Sequence, residues 1–253
     1  MTPYDDPNFS YPKYWAGRQY EHQSEVLAIQ KFLSGRSFKS IADVGGGYGR
    51  LTPTLSQHSP RVTLIEPSSK QRRIASSLKI KNLKFKIMQG STSRTRLPNS
   101  SINLVTLIRV LHHLPDPAPT FKEVHRILKP GGLFILEFAN SQNLKSRFLN
   151  WLSGRAPSTA PIDLRSPTNI RRDSIPFVNH HPQTILKILH LCNFEPLQHL
   201  SVSNFRSQLL KQLLPLRALL FLEKLSQGPL SHFYFGPSVF VLARKIDSGQ
   251  SIQ

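Results

Sequence analysis

Residues 41–50 read Ile41-Ala42-Asp43-Val44-Gly45-Gly46-Gly47-Tyr48-Gly49-Arg50, and their reading decides the fold. An apolar strand runs into a turn with glycine at the alternate positions 45, 47 and 49. Arg50-Leu51-Thr52-Pro53-Thr54-Leu55 then opens a helix. Glycine tolerates positive φ and lets a ligand approach bare main chain. A strand–loop–helix unit also leaves free N–H groups at the helix N-terminus. The loop therefore suits a small polar or nucleotide-like ligand, although glycine-rich loops also make plain tight turns. The spacing is not the Gly-x-Gly-x-x-Gly of dinucleotide sites, because the third glycine comes one residue early. No Gly-Lys-Ser/Thr follows, which excludes a P-loop.

Working outward, the chain alternates strand and helix patterns at short spacing. Helix is predicted over 21–33, with Val26, Leu27, Ile29, Phe32 and Leu33 as its apolar stripe. Strands are predicted at 38–44, 62–65, 83–88, 102–108, 133–138, 196–202 and 238–243. Further helices are predicted at 50–56, 70–78, 119–128 and 182–191. Alternation of this kind means a parallel sheet with right-handed crossovers. Residues 140–180 break the rhythm with Ser, Pro, Asn and Arg, except around 144–152, and read as a lid or a loop. Residues 207–225 read as an amphipathic helix kinked at Pro215.

The 253 residues allow one generous domain, or a domain with a cap, and 39% apolar content is enough for a core. No secretory signal or bilayer-spanning run is visible, and the lone Cys192 excludes an intramolecular disulfide or a cysteine zinc cluster. These features suggest a cytoplasmic enzyme. The formal charge of +19 is spread along the chain, with 20 Lys/Arg against 9 Asp/Glu in residues 1–140 and 13 against 5 in 141–253. Such an excess fits either an anionic partner or plain solvated basic faces.

Glu66 ends the second strand seventeen residues after Gly49, where an acid in nucleotide-binding α/β folds accepts hydrogen bonds from ribose. The glycine loop, Glu66, Val110-Leu111-His112-His113-Leu114-Pro115-Asp116-Pro117 and Leu128-Lys129-Pro130-Gly131-Gly132 together resemble a class I S-adenosylmethionine-dependent methyltransferase. The resemblance is to the branch containing ubiquinone/menaquinone and small-molecule methyltransferases, and it covers residues 38–140. It implies a Rossmann-like, doubly wound, seven-stranded α/β sheet, mostly parallel with an antiparallel last strand, plus a lid insertion.

By position, the resemblance implies that Asp43 and the loop Gly45, Gly46, Gly47 and Gly49 hold the methionine part of S-adenosylmethionine. Glu66 would bind the ribose hydroxyls, and Pro67 would flank the adenine. Ile108, Arg109 and Val110 would floor the transfer site. Gly90-Ser91-Thr92 stands where the family has Gly followed by Asp or Asn, so the adenine contact at Gly90 and Ser91 is weakened, moved or made by main chain. Ile102-Asn103 replaces the usual Phe-Asp.

Methyl transfer from a sulfonium needs mainly alignment, and a base only where the acceptor must lose a proton. His112, His113 and His181 are the candidate bases, with a structural role in the strand-to-helix turn or helix start as the alternative. No metal site is expected. Tyr14, Trp15, Arg18 and Tyr20 are candidate walls for the acceptor, or else pack on the sheet edge.

The expected organisation is a cap at 1–35, a cofactor core at 36–140, a lid at 141–181, and the rest of the sheet at 182–246 with a helical insertion at 206–226. A disordered tail is expected at 247–253. Lys145, Arg147, Arg155, Arg165, Arg171 and Arg172 in the insert suggest an anionic acceptor or a solvated loop. The 206–225 stripe suggests membrane contact, core packing or a dimer face. The function expected is methyl transfer to a small molecule, anionic or lipid-like. The rivals are an RNA methyltransferase and a non-catalytic partner of the same fold.

Overall fold

The computed structural model describes residues 3–154, 156, 158–171 and 174–246; Arg155, Arg172 and the segment 247–253 lie outside the described residues. A 3-10 turn over 3–5 leads to α1 (Tyr11–Ala16) and α2 (Gln19–Leu33). The core then runs β1 (Ile41–Val44), α3 (Thr52–Ser56), β2 (Arg61–Ile65), α4 (Ser69–Ala75), β3 (Lys84–Met88), β4 (Ile102–Leu107), α5 (Ala118–Ile127) and β5 (Leu128–Ala139). The insert holds α6 (Leu144–Leu152), β6 (Ile162–Asp163), α7 (Pro167–Arg171) and β7 (Val178–Asn179). The chain continues with α8 (Pro182–Leu191), β8 (Phe194–Val202), α9 (Gln208–Leu213), α10 (Leu216–Ser226) and β9 (Ser238–Lys245).

The main sheet has the order β3-β2-β1-β4-β5-β9-β8, and β6 pairs with β7 in a separate ribbon. The strands are parallel except β9, which runs antiparallel between β5 and β8. Strand order reverses between β1 and β4, and in such sheets ligands bind at the carboxyl ends beside that reversal.

Both faces of the sheet are covered, which is why its central strands are almost wholly apolar. Alternate residues of each strand point to opposite faces. Ala42 and Val44 of β1, with Val105 and Leu107 of β4, join α5 and α8 in one buried cluster. Ile41 and Leu104 join Ala28, Ile29, Phe32 and Leu33 of α2 in the other. In the first cluster Phe134 meets Phe121 edge to face and Phe194 at a tilt, with centroids 5.6 and 5.3 Å apart. Truncating the fully buried Phe134 to Ala is expected to cost about 3–5 kcal/mol.

Local chemistry fixes the helix starts that shape the cleft. The Ser68 hydroxyl caps α4 by accepting from the Gln71 N–H at 3.2 Å. Pro182 opens α8 at a position where its missing N–H costs nothing. The structure adds to the sequence reading in the cap and departs from it in two places: β5 begins at Leu128, directly after α5, and not at 133, and the 207–225 stretch is divided. Tyr11–Ala16 is a helix, capped by Ser10, that the aromatic density there concealed. Residues 207–225 form two helices, because Pro215 is the N-cap of α10 and ends α9 outright instead of kinking one helix. Among the described residues, no helix is long and apolar enough to cross a membrane.

Candidate functional site

The carboxyl ends of β1, β2 and β4 open onto a cavity of about 220 Å³. Gly45 and Gly47 from the loop, Glu66 and Pro67 after β2, Ser91 and Thr92 after β3, and Arg109 and Val110 after β4 all line it. The sequence reading thus chose residues from four strand ends that the fold brings to one place.

The loop is shaped for close approach. Gly45 and Gly47 have φ of +71° and +58°, a region that suits glycine. A Cβ on Gly45 would sit 2.5 Å from Val110 Cγ2, and one on Gly47 would press the Tyr11 ring at 3.2 Å. Glu66 is buried; its Oε2 accepts from the Gly47 N–H at 3.0 Å and its Oε1 from the Ser68 N–H at 2.9 Å. Burial pushes its carboxyl above the ordinary range, against the pull of those two N–H groups. Each oxygen keeps lone-pair capacity for a ligand hydroxyl.

Asp43 lies beneath the loop, facing the α2 side of the sheet. Its Oδ1 accepts from the Thr106 hydroxyl at 2.7 Å, while the buried Oδ2 has no partner. Burial pushes its carboxyl up to about 6. In the cavity wall, Gln71 donates its amide to the Tyr4 carbonyl at 3.2 Å, but its buried Oε1 is also without a partner.

Arg109 has φ of +61°, uncommon for a non-glycine residue, and is held there from two sides. Its N–H donates to Glu137 Oε2 at 2.9 Å, and its guanidinium donates to the buried Glu25 at 2.7 Å. Arg50 also pairs with Glu25, at 2.5 Å, and lies 3.7 Å over the Trp15 ring. Burial alone would raise the Glu25 carboxyl, but the two guanidinium groups together hold it below the ordinary range.

The histidines separate. His113 lines the cavity. Its Nδ1 stands 2.9 Å from the Pro176 carbonyl and its Nε2 2.6 Å from the Tyr4 hydroxyl. A carbonyl can only accept, so Nδ1 carries the proton and Nε2 accepts from Tyr4. Burial lowers the His113 pKa and keeps the ring neutral. His112 is turned away, buried against Phe177, and its pKa is held well below normal by burial and then by His113 and Arg109. His181 is the N-cap of α8 and does not line the cavity.

Other candidates fall outside the cavity wall. Trp15 packs under Arg50, and Arg18 lies 4.2 Å over Tyr14. Tyr20 donates to Glu223 at 2.6 Å and accepts from the Phe205 N–H at 2.9 Å, tying α2 to α10. Gly90 is a packing glycine, since a Cβ there would sit 2.8 Å from Ile65 Cγ2. Ile108, Gly46 and Asp43 border a small neighbouring void with Arg50 and Arg109. Gly49 faces Leu78.

Sequence reasoning missed Tyr4, Tyr11, Gln71, Leu114 and Ile175 in the wall, and the carbonyl of Pro176. Tyr4 arrives because Asp5 accepts from the Ser68 hydroxyl at 2.7 Å and the Lys70 N–H at 3.1 Å. Lys70 Nζ in turn donates to the Asp6 and Phe9 carbonyls. The aromatic run from Tyr4 to Trp15 was the available signal for this covering. The insert enters through Ile175 and Pro176, while its Arg165 pairs with Asp163 at 2.7 Å.

Residues 42–136 match the methyltransferase domain family. A ubiquinone biosynthesis O-methyltransferase of Idiomarina loihiensis is 30% identical over 129 residues, covering 50% of this chain and 51% of that protein. The chain spans about half the length of the relatives it matches. Its fold follows a chain in the Haloferax volcanii complex between the Trm112 methyltransferase activator and a methyltransferase. That match has a TM-score of 0.65 and 14% identity, over 98% of this chain and 99% of that one. An S-adenosylmethionine-dependent methyltransferase of Mesorhizobium loti superposes with a TM-score of 0.60 and 17% identity, over 88% of this chain and 98% of that one.

Proposed function

We propose that the chain, whose residues 42–136 match the methyltransferase domain family, transfers a methyl group from S-adenosylmethionine to a small, largely apolar acceptor. The observation that carries this reading is the convergence of Gly45, Gly47, Glu66, Pro67, Ser91 and Val110 on one cavity. The residues present fit the cofactor. Two buried acceptors without partners, Gln71 Oε1 in the wall and Asp43 Oδ2 below the loop, suit a ligand rich in N–H and O–H donors. The main chain at Gly45 and Gly47 must stay bare, since a Cβ there would strike Val110 or press Tyr11, both in the cavity wall.

The cofactor supplies a methyl group already activated by its sulfonium. Glu66 would hold the ribose hydroxyls, with Pro67, Ser91 and Thr92 around the base. Asp43 and the loop main chain would take the methionine end. Tyr4, Tyr11, Leu114 and Ile175 exclude water and present apolar surface to the acceptor. His113 is the base: its neutral Nε2 accepts from the hydroxyl of Tyr4, another residue of the cavity wall, and an acceptor hydroxyl taking the place of Tyr4 would give its proton there. The Pro176 carbonyl would stabilise the resulting imidazolium through Nδ1. An oxygen acceptor accords with the name of the O-methyltransferase relatives.

Charge favours RNA as the alternative acceptor. Arg109 is the only Lys or Arg among the described residues lining the cavity, and Glu25 neutralises it. The test incubates the protein with methyl-labelled S-adenosylmethionine and, in parallel, small-molecule extracts or total RNA, then identifies labelled products by mass spectrometry. Label in a small apolar compound supports the proposal; label only in RNA overturns it.

A further inference from the structure

The helix α6 in the insert is built the wrong way out for a helix packed on a protein. At 100° per residue, Leu144, Phe148, Leu149, Trp151 and Leu152 fall within an arc of about 160°. All five are exposed; Trp151 reaches 76% and Leu152 62%. The side turned inward is polar: Ser146 and Asn150 are half-buried, and the Ser146 hydroxyl accepts from the Asn143 side chain at 2.9 Å. No residue of α6 is buried. Leaving five large apolar side chains in water opposes the hydrophobic effect unless something covers them.

Charge identifies the cover. Lys145 and Arg147 are the only charged residues of α6; both are exposed, and neither has an ion pair among the described residues. Lys145 lies inside the apolar arc, where a long stem can lie along the acyl boundary while the ammonium reaches headgroups. The chain as a whole carries +19. A second copy would bring the same two cations against themselves across a twofold axis. RNA would answer the charge but not the apolar arc. We propose that α6 docks on an anionic lipid bilayer, lying in the interface with Phe148, Trp151 and Leu152 among the acyl chains and Lys145 and Arg147 at the phosphates. The helix springs from the end of β5, at the carboxyl edge of the sheet that also bears the cavity. The surface stands independently of the methyl-transfer reading, since it uses none of the cavity residues.

The chain has two tryptophans, and Trp15 is buried, so Trp151 is a natural reporter. The 253-residue chain is mixed with vesicles of phosphatidylcholine alone or with added phosphatidylglycerol, without cofactor. Sedimentation and tryptophan emission are both read. With phosphatidylglycerol the protein should pellet, and Trp151 emission should shift to the blue and be quenched by brominated acyl chains. Trp151→Phe should remove the shift while leaving the Trp15 signal. Phe148→Ser with Leu152→Ser should weaken binding roughly tenfold or more. Lys145→Glu with Arg147→Glu should do so on anionic vesicles. All variants should melt with the wild type. Wild-type protein that stays in the supernatant with unchanged Trp151 emission overturns the proposal. So does self-association or RNA binding that shields Trp151 without vesicle binding, and so does a charge-reversed variant that binds as the wild type does.

Discussion

Replacing Glu66 with Gln separates the two tasks its carboxylate performs. In the free protein it accepts from the Gly47 and Ser68 N–H groups, at 3.0 and 2.9 Å. Gln offers one acceptor and turns an NH₂ toward the other donor. The lost bond to a charged acceptor costs about 1.5–3 kcal/mol. Removing a buried charge, whose desolvation already raises the Glu66 pKa, returns part of that. The fold is therefore expected to lose only about 1–2 kcal/mol. The ligand loses more, because the ribose hydroxyls no longer meet a carboxylate. About 1.5–3 kcal/mol of binding corresponds to roughly a tenfold to 150-fold rise in Kd. Calorimetry with S-adenosylhomocysteine reads the affinity, and a thermal melt without ligand reads the fold. A folded Glu66→Gln variant whose Kd lies within a factor of two of wild type would refute the assignment of Glu66 to the ribose.

His113→Phe should lower kcat by about 100-fold or more while leaving S-adenosylhomocysteine affinity unchanged. Because burial lowers the His113 pKa, the neutral base should persist below the ordinary histidine range, so the acid limb of kcat should fall below pH of about 6.5. An acid limb above neutrality in the wild type, or full activity in the variant, would remove His113 from this role. Asp43 is neutral below its raised pKa of about 6, so affinity for the cationic S-adenosylmethionine should weaken as pH falls through about 6. Asp43→Asn should flatten that dependence in titrations from pH 5 to 8, and a slope that survives the substitution would exclude Asp43 as its source. Glu25→Gln should destabilise the fold by about 3–5 kcal/mol in denaturant titrations, because two partly buried guanidinium groups lose their counter-charge. Since the folded Glu25 pKa is depressed, its stabilisation is complete above about pH 4.5 and lost only as pH falls through the lower folded value.

The sheet was legible because its signals are local. The apolar strand before Gly45, the period of α2 and the helix-stopping Pro130-Gly131 each lie within a few residues. The antiparallel β9 was legible only through the family resemblance, since nothing in residues 238–245 alone gives a strand its direction. Gly45, Gly47, Glu66 and Arg109 could be placed because each ends or follows a strand at the same edge. Tyr4 could not: its meeting with His113 spans 109 positions and depends on Asp5 capping α4. Trp15 and Tyr20 look like pocket aromatics in sequence. They are committed instead to Arg50 and Glu223, partners that only the tertiary fold supplies. The exposed face of α6 was hidden for another reason: the apolar spacing of 144–152 was visible, but nothing local says whether such a stripe faces the core or solvent.

The most direct measurement is a crystal structure after soaking with S-adenosylhomocysteine at saturating concentration. The expected density runs from the Gly45–Gly47 main chain to Glu66 and Pro67, with hydroxyl oxygens within hydrogen-bond reach of the Glu66 carboxylate. A cavity without such density, or a ligand seated elsewhere, would contradict the assignment of this cleft to the methyl donor.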